Sequence, residues 1–88
     1  MEMDIAQIEH MIQYIKTKVL RQQDVQIDAD TPLVSSGMVD SFSLIGTLLE
    51  LEKLTNRRIS PRLVEAQDLD TVHKMLQTAV RVGKLRRE

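Results

Sequence analysis

Apolar residues recur along the first twenty positions at the spacing of an amphipathic helix. Their steps are 3, 4, 3 and 4 residues, which places them on one helix face: Ile5, Ile8, Ile12, Ile15 and Val19. Asp4 can accept a hydrogen bond at the start, and Lys16, Lys18 and Arg21 suit the negative end of the helix dipole. The pattern predicts a first helix from Asp4 to Arg21.

Residues 22–40 lack this period and are rich in turn-forming residues. Ile27, Leu33 and Val34 are spaced to hold such a loop against the core. A connection of this length is unusual in a small domain and often carries function. We therefore predict a long pinned loop, which ends at the sequence Gly37-Met38-Val39-Asp40-Ser41-Phe42.

A second amphipathic pattern follows the loop and ends near residue 56. Either Asp40 or Ser41 can supply the N-cap oxygen. At about 100° per residue, the predicted buried face consists of Leu44, Ile45, Leu48 and Leu51. Phe42 and Leu49 fall together, roughly 100° from the centre of that face. This helix is therefore predicted to have a core face and a separate apolar flank below Ser41.

The last third of the chain predicts two more helices. Ser60-Pro61 fits an N-cap followed by proline at the first helical position, so a short third helix is expected from about Pro61 to Ala66. Asp70 or Thr71 can cap a fourth helix, which Gly83 ends. Its predicted apolar face is Val72, Met75, Leu76, Ala79 and Val80. The expected fold is a small all-α four-helix bundle over residues 1–83, with a basic tail at residues 84–88.

Composition agrees with helices packed on helices. The 88 residues make one small domain, and with only 2% aromatic residues the core must be aliphatic. The absence of cysteine excludes disulfides, thiolate metal sites and cysteine catalysis. No apolar run reaches membrane-spanning length, and the acidic start Met1-Glu2-Met3-Asp4 differs from a signal peptide. We therefore expect a cytoplasmic protein without a membrane span, and nothing requires more than a monomer.

Charge is unevenly distributed, although the net charge is only −1. Residues 1–30 carry six acids and three bases, whereas residues 74–88 carry five bases and one acid. Arg57, Arg58 and Arg62 form a second basic cluster. The simpler interpretation is a solvated face and a frayed tail. A surface that docks a partner is the alternative.

Ser41 lacks the companions that a catalytic serine needs. A serine nucleophile requires a base within hydrogen-bond reach and a third group that orients the base. His10 and His73 lie on the first and fourth predicted helices, and no spacing ties them to Ser41. The sequence has no Gly-x-Ser-x-Gly elbow, no Gly-rich phosphate loop and no metal-ligand pattern. We therefore predict neither an enzyme nor a metal site, and N-capping suffices as a role for Ser41 alone.

The residues Gly37-Met38-Val39-Asp40-Ser41-Phe42 resemble the Gly-x-x-Asp-Ser-Leu motif of acyl carrier proteins and related peptidyl carrier domains. The resemblance covers nearly the whole chain. It includes the first helix and the helix after Ser41, together with three further segments: Asp30-Thr31-Pro32-Leu33, Ile59-Ser60-Pro61 and Asp68-Leu69-Asp70-Thr71-Val72. It implies the four-helix bundle of the acyl-carrier type, with a short third helix and a long loop between helices 1 and 2.

The resemblance also implies a function. A phosphopantetheinyl transferase would attach 4′-phosphopantetheine from coenzyme A to Ser41, and the thiol of this arm would carry an acyl or aminoacyl group as a thioester. Asp40 would help to present Ser41 to the transferase. Further partners would be a loading ligase and a downstream transferase or synthase. The expected partner-facing residues are Phe42, Leu49, Arg57 and Arg58.

The second helix departs from the family pattern. Fatty-acid carriers usually have a strongly acidic second helix, but Ser43, Gly46 and Thr47 occupy positions here where acidic or larger apolar residues are common. Electrostatic steering by this helix should therefore be weak. Thr47 and Thr55 near the core face also argue against room for a long acyl chain. A stand-alone carrier for a specialised pathway fits better than a housekeeping fatty-acid carrier.

Two alternatives stay open. A helical interaction module could keep the carrier fold and bind a partner without the arm, through Phe42, Leu49 and the arginine cluster. Nucleic-acid binding through Arg57, Arg58, Arg62 and the tail is the other alternative. The net charge of −1 and the lack of a basic stripe along one helix disfavour it.

Overall fold

Three α-helices and a short two-stranded sheet form the computed structural model, which describes residues 4–86. The helices are α1 (Ile5–Tyr14), α2 (Ser43–Thr55) and α3 (Val72–Val82), and the strands are β1 (Arg57–Arg58) and β2 (Lys84–Leu85). The helical class is confirmed, whereas the four-helix bundle is not. Met1 to Met3, on which the comparison with a signal peptide depended, and the tail residues Arg87 and Glu88 lie outside the described residues.

Helix α1 begins at the predicted cap, where Asp4 Oδ1 accepts a hydrogen bond from Ala6 N–H at 2.8 Å. Beyond Tyr14 the helix continues as a wider π-helical turn, Ile15–Val19, rather than as the predicted α-helix. The Thr17 hydroxyl donates to Gln13 O at 2.7 Å. In an α-helix the same carbonyl would accept from the Thr17 backbone N–H. The hydroxyl competes with that N–H for the carbonyl, which weakens the α-helical hydrogen bonding at this point.

The buried face of α1 is rotated from the predicted one. Met11 and Ile15 are fully buried, whereas Ile5 is 74% exposed. Ile8, Ile12 and Val19 pack against the core only in part. Each residue of a helix is rotated by about 100° from the one before it. Ile5 therefore lies roughly 100° from the centre of a face formed by Met11 and Ile15, at the exposed edge of that face.

The loop between α1 and α2 is pinned to the core, as predicted. Leu33 is completely buried, and Ile27 and Val34 pack against the core in part. Val39 is buried as well, and its N–H donates to Leu33 O at 2.8 Å. The loop therefore closes on itself between residues 33 and 39, just before Ser41.

Helices α2 and α3 contribute most of the core. Leu44, Leu48 and Leu51 of α2 are buried, as predicted, and α3 adds Val72, Met75, Leu76 and Ala79. Thr71 caps α3 by accepting from Lys74 N–H at 3.0 Å. Val80 was predicted in this core but is 38% exposed, because it lies at the edge of the α3 face.

Ile45 was also predicted in the core, and this prediction is wrong, because its side chain is 66% exposed. The buried face of α2 includes Thr47 instead of Ile45, and the Thr47 side chain is only 1% exposed. Its hydroxyl donates to Ser43 O, one helical turn earlier, at 3.0 Å. Because the helix's own backbone satisfies this hydroxyl, a polar side chain can be buried here at little cost.

The predicted third helix is replaced by two 3₁₀ turns, Pro61–Leu63 and Ala66–Leu69. Proline occupies the first position of the first turn, as expected. The helix does not continue because Val64 and Glu65 are extended. Glu65 N–H donates to Asp68 Oδ2 at 2.8 Å, which starts the second turn.

Lys84 and Leu85 form a strand within the segment that the sequence predicted as a basic tail. Helix α3 ends because the backbone of Gly83 is extended, and a Cβ at this position would collide with the Ala79 carbonyl. Strand β2 then pairs with β1 in antiparallel register, with Arg57 opposite Leu85 and Arg58 opposite Lys84. Between residues 4 and 86, no helix is long and apolar enough to cross a membrane.

Candidate functional site

Ser41 lies in an exposed turn that joins the long loop to α2. Asp40, Ser41 and Phe42 are all exposed, whereas Val39 just before them is buried. The chain leaves the interior at Val39 and returns to it at Leu44, the first buried residue of α2. This path presents the Ser41 side chain to solvent at the start of the helix, which is where the sequence placed it.

Phe42 directly precedes α2 and has no side chain that can cap it, and Asp40 instead accepts the hydrogen bond from the first residue of the helix. Its Oδ1 accepts from Ser43 N–H at 2.9 Å, while the Ser41 carbonyl accepts from Leu44 N–H at 3.3 Å. The bond from the Ser43 backbone, and then that from the Ser43 hydroxyl, lowers the pKa of Asp40 below its ordinary value. The sequence left open whether Asp40 or Ser41 would cap the helix. Because Asp40 does so, the Ser41 hydroxyl is not required for this role.

Gly37 sets the shape of the turn before Ser41. Its φ angle is 84°, in the left-handed region that other residues rarely adopt. Its N–H donates to Val34 O at 3.0 Å, and the Ser36 hydroxyl donates to Pro32 O at 2.6 Å. The glycine three residues before Asp40 therefore has a structural purpose, which is to bend the loop towards the exposed turn.

Asp70 ties this loop to the start of α3. Its Oδ1 accepts hydrogen bonds from the backbone N–H groups of Leu33, Val34 and Ser35. Its Oδ2 accepts a hydrogen bond from the Ser35 hydroxyl at 2.8 Å. These bonds, that from Ser35 N–H above all, lower the pKa of Asp70. From the sequence, Asp70 was expected as a helix cap and as part of the resemblance over residues 68–72. The clamp could not be predicted because no local pattern connects residue 70 with residues 33–35.

Phe42, Ile45 and Leu49 form an exposed apolar stripe along one side of α2. Their side chains are 84%, 66% and 57% exposed. Spacings of three and four residues place them on the same helix face. The predicted flank of Phe42 and Leu49 is thus present, and it is extended by Ile45. Grouped exposed apolar side chains are typical of surfaces that bind a partner.

Both carboxylates of α2 are used within the protein. Glu50 Oε2 lies 2.6 Å from His10 Nε2, and Glu50 Oε1 lies 3.9 Å from Lys53 Nζ. Glu52 Oε2 accepts from Ile59 N–H at 2.7 Å. These contacts reduce the charge that α2 can present to a partner, which agrees with the weak steering expected from the sequence.

Gly46 of α2 lies close to Tyr14 of α1. A Cβ at this position would lie 3.2 Å from the Tyr14 hydroxyl. Burial, and then the nearby Glu50 carboxylate, raises the pKa of Tyr14. The small residue at this position, a departure from the carrier pattern, therefore leaves room for the Tyr14 ring.

The two histidines pair with carboxylates away from the Ser41 turn. His10 contacts Glu50 across α1 and α2, and His73 Nδ1 lies 2.9 Å from Asp30 Oδ1 in the loop. In the part of the chain that the structure describes, no group of three or more His, Asp or Glu side chains could hold a metal ion. Each histidine thus links two elements of the fold.

Arg57 and Arg58, the other predicted partner-facing residues, lie at the opposite end of α2 from Ser41. The 13 residues of this helix, at 1.5 Å each, separate the two ends by roughly 20 Å. Arg57 is partly buried and donates to Gly83 O at 3.4 Å, whereas Arg58 is exposed. The structure therefore brings Ser41 together with Asp40 and the apolar stripe, but not with these arginines.

No family model, no curated protein and no solved structure matches the chain.

Proposed function

We propose that this protein is an acyl or aminoacyl carrier, which holds its cargo as a thioester on a 4′-phosphopantetheine arm attached to Ser41. The observation that carries the proposal is the exposed position of Ser41 at the start of α2, beside an aspartate that already fills the capping role. A serine with no structural task at such a position is suited to attachment. The resemblance of residues 37–42 to the carrier motif supplies the identity of the arm.

The surroundings of Ser41 fit a phosphodiester-linked group. The N-terminus of a helix carries partial positive charge, which favours a phosphate there. Ser41 and Phe42 are both exposed, so an arm could extend into solvent without displacing a core side chain. The arm would supply a thiol, which this cysteine-free chain lacks. The role of the protein itself is to present the arm and to bind the enzymes that use it.

The character of α2 favours a specialised carrier over a housekeeping fatty-acid carrier. Thr47 is buried in the core, while Glu50 and Glu52 are engaged in internal contacts. Docking would therefore depend on the apolar stripe more than on long-range electrostatic attraction. The expected partners are a phosphopantetheinyl transferase, a loading ligase and a downstream transferase or synthase.

Incubation with coenzyme A and a broad-specificity phosphopantetheinyl transferase tests the proposal. We expect the intact mass of the wild-type protein to rise by one phosphopantetheine group. Ser41→Ala should show no gain because the attachment oxygen is absent. Ser43→Ala is the matched control, since it removes another hydroxyl from the same turn and should still be loaded.

Circular dichroism of each variant establishes that it is folded, and a known carrier loaded in the same assay establishes that the transferase is active. Under these conditions, a mass gain that survives Ser41→Ala would assign the site to another residue. A folded wild-type protein that gains no mass would reject the carrier function.

The apolar stripe by itself supports a second function, that of an interaction module that keeps the carrier fold but acts without the arm. Phe42, Ile45 and Leu49 would then form the centre of the interface. This function predicts a partner that is bound equally by the wild-type protein and by Ser41→Ala, and lost in Leu49→Ala. A carrier predicts instead that its cargo enzymes distinguish the first two proteins.

A further inference from the structure

The β1–β2 ladder concentrates positive charge on one of its faces. Directly opposed residues of an antiparallel pair project to the same face, and the register places Arg58 opposite Lys84. Arg86 lies one residue beyond β2, and its N–H donates to Asn56 O at 3.2 Å, which continues the pairing by one residue. Because side chains alternate along an extended chain, this pairing places Arg86 on the same face as Lys84. All three side chains are exposed. They are referred to below as the basic face.

Repulsion between the like charges of the basic face destabilises the β1–β2 ladder in the isolated protein. Like charges directly opposite each other destabilise a ladder, and a two-stranded ladder this short has little stability of its own. Glu52 Oε1 lies 3.9 Å from Arg86 Nη2, but Glu52 Oε2 is occupied by Ile59 N–H. The ion pairs found within residues 4–86 include neither Arg58 nor Lys84. An opposed pair of cations without a counter-charge of its own is suited to an anion from outside.

The spacing of the basic face matches an extended acidic segment. Lys84 and Arg86 are two residues apart, and the bond from Arg86 N–H to Asn56 O continues the strand pairing over this stretch. A two-residue step along paired strands is about 6.7 Å, the distance at which carboxylates at alternate positions of an extended peptide repeat. Arg58, Lys84 and Arg86, together with Leu85, line a groove of about 500 Å³.

We propose that the basic face binds an extended acidic segment of a partner protein, with carboxylates at alternate positions. A nucleic acid would span many more charges than three, and the net charge of −1 disfavours it. The basic face adjoins the end of α2 that lies away from Ser41, so a partner held there leaves Ser41 accessible. The proposal does not depend on the phosphopantetheine arm.

An NMR titration of the ¹⁵N-labelled protein at low ionic strength tests this surface. The probe is a synthetic octapeptide of alternating Glu and Thr, with an otherwise identical Gln–Thr peptide as its control. We expect the acidic peptide, and not the Gln peptide, to shift amides of residues 56–58 and 84–86. Lys84→Glu should weaken this binding by about tenfold, the effect of roughly 1.4 kcal/mol. Lys74→Glu makes the same charge change at an exposed lysine of α3 and should leave binding unchanged.

The thermal unfolding midpoints of the same variants provide a second test. If Lys84 only stabilised the fold, its replacement would lower the midpoint. Lys84→Glu replaces a repulsive cross-strand pair by an attractive one with Arg58, so the unfolding midpoint should rise by about 1–4 °C while binding weakens. A fall in the midpoint would contradict the repulsion on which the proposal depends.

Three results of the titration would overturn the proposal. One is that the acidic peptide leaves the amides of the basic face unshifted. Another is that Lys74→Glu weakens binding as much as Lys84→Glu. The third is that inorganic phosphate, added in a separate titration, shifts the same amides at a lower concentration than the peptide. Because every step uses the protein without its arm, such a failure would leave the assignment of Ser41 intact.

Discussion

Asp70 holds the loop that leads to Ser41. Its side chain holds the backbone N–H groups of residues 33–35, and Leu33 O in turn accepts from Val39 N–H at 2.8 Å. Ser41 follows Val39 by two residues. A single carboxylate at the start of α3 therefore holds the loop that leads to the Ser41 turn, although 29 positions separate Ser41 from Asp70 in the sequence.

Replacement of Asp70 by Asn should destabilise the protein at neutral pH by about 1–2 kcal/mol, because charge-assisted hydrogen bonds become neutral ones and the Ser35 hydroxyl loses its acceptor. The pKa of Asp70 is depressed in the folded state, so its contribution is complete above the ordinary value of 3.8 and is lost as the pH falls below that value. We therefore expect the difference between wild type and Asp70→Asn to shrink at pH 3. Urea unfolding midpoints at pH 7, 5 and 3 measure it.

Asp24→Asn is the control for this experiment, since it removes one negative charge from an exposed position in the same loop. Its stability should follow that of the wild type at each pH. Asp40, whose pKa is also lowered, keeps some acid sensitivity in every variant. A difference for Asp70→Asn that is constant from pH 7 to pH 3 would show that the carboxylate charge has no part in the clamp.

At the scale of the element, α2 divides its apolar residues between two tasks. Leu44, Leu48 and Leu51 build the core, whereas Phe42, Ile45 and Leu49 remain on the surface. Periodicity predicted both groups but placed Ile45 in the wrong one. The reason is that the buried face includes Thr47, whose hydroxyl is satisfied by Ser43 O. The sequence already placed Thr47 near the core face, but apolar periodicity alone gives a threonine little weight, so the predicted centre of the face moved towards Ile45.

The two faces of α2 predict opposite effects of truncation to alanine. Ile45→Ala should change the unfolding free energy by no more than about 0.5 kcal/mol, because its side chain is exposed, and should slow phosphopantetheine loading about tenfold. Leu48→Ala should cost about 3 kcal/mol through the cavity that it leaves. Urea unfolding and the initial loading rate, measured on the same preparations, separate these outcomes. Normal loading of Ile45→Ala would remove the stripe from the transferase interface.

At the scale of the whole molecule, the sequence was informative where interactions are local. The cap of α1, the pinned loop, the starts and ends of α2 and α3, and the exposed turn at Ser41 follow from periodicity and turn residues. The β1–β2 ladder does not, since it joins residues 57–58 to residues 84–85, and no short pattern marks either strand. The prediction of a third helix is wrong for a related reason. Pro61 correctly marks the start of a turn, but extended backbone at Val64 ends that turn after three residues.

The whole fold therefore has two distinct surfaces at opposite ends of α2. The Ser41 turn and the apolar stripe form one, and the basic face forms the other. Ser41 and the basic face are separated by roughly the length of α2, about 20 Å, which would allow a carrier to be held by one partner while another acts on its cargo. Such a carrier function requires the arm to be attached to Ser41.

Mass spectrometry of tryptic peptides from the protein purified from its native host shows whether Ser41 carries the arm. Cleavage after Arg21 and Lys53 yields the peptide of residues 22–53, which contains Ser41 together with Ser35, Ser36 and Ser43. We expect one phosphopantetheine group on this peptide, with fragment ions that locate it on Ser41. A group located on another serine, or a peptide 22–53 that carries no modification, would contradict the attachment to Ser41.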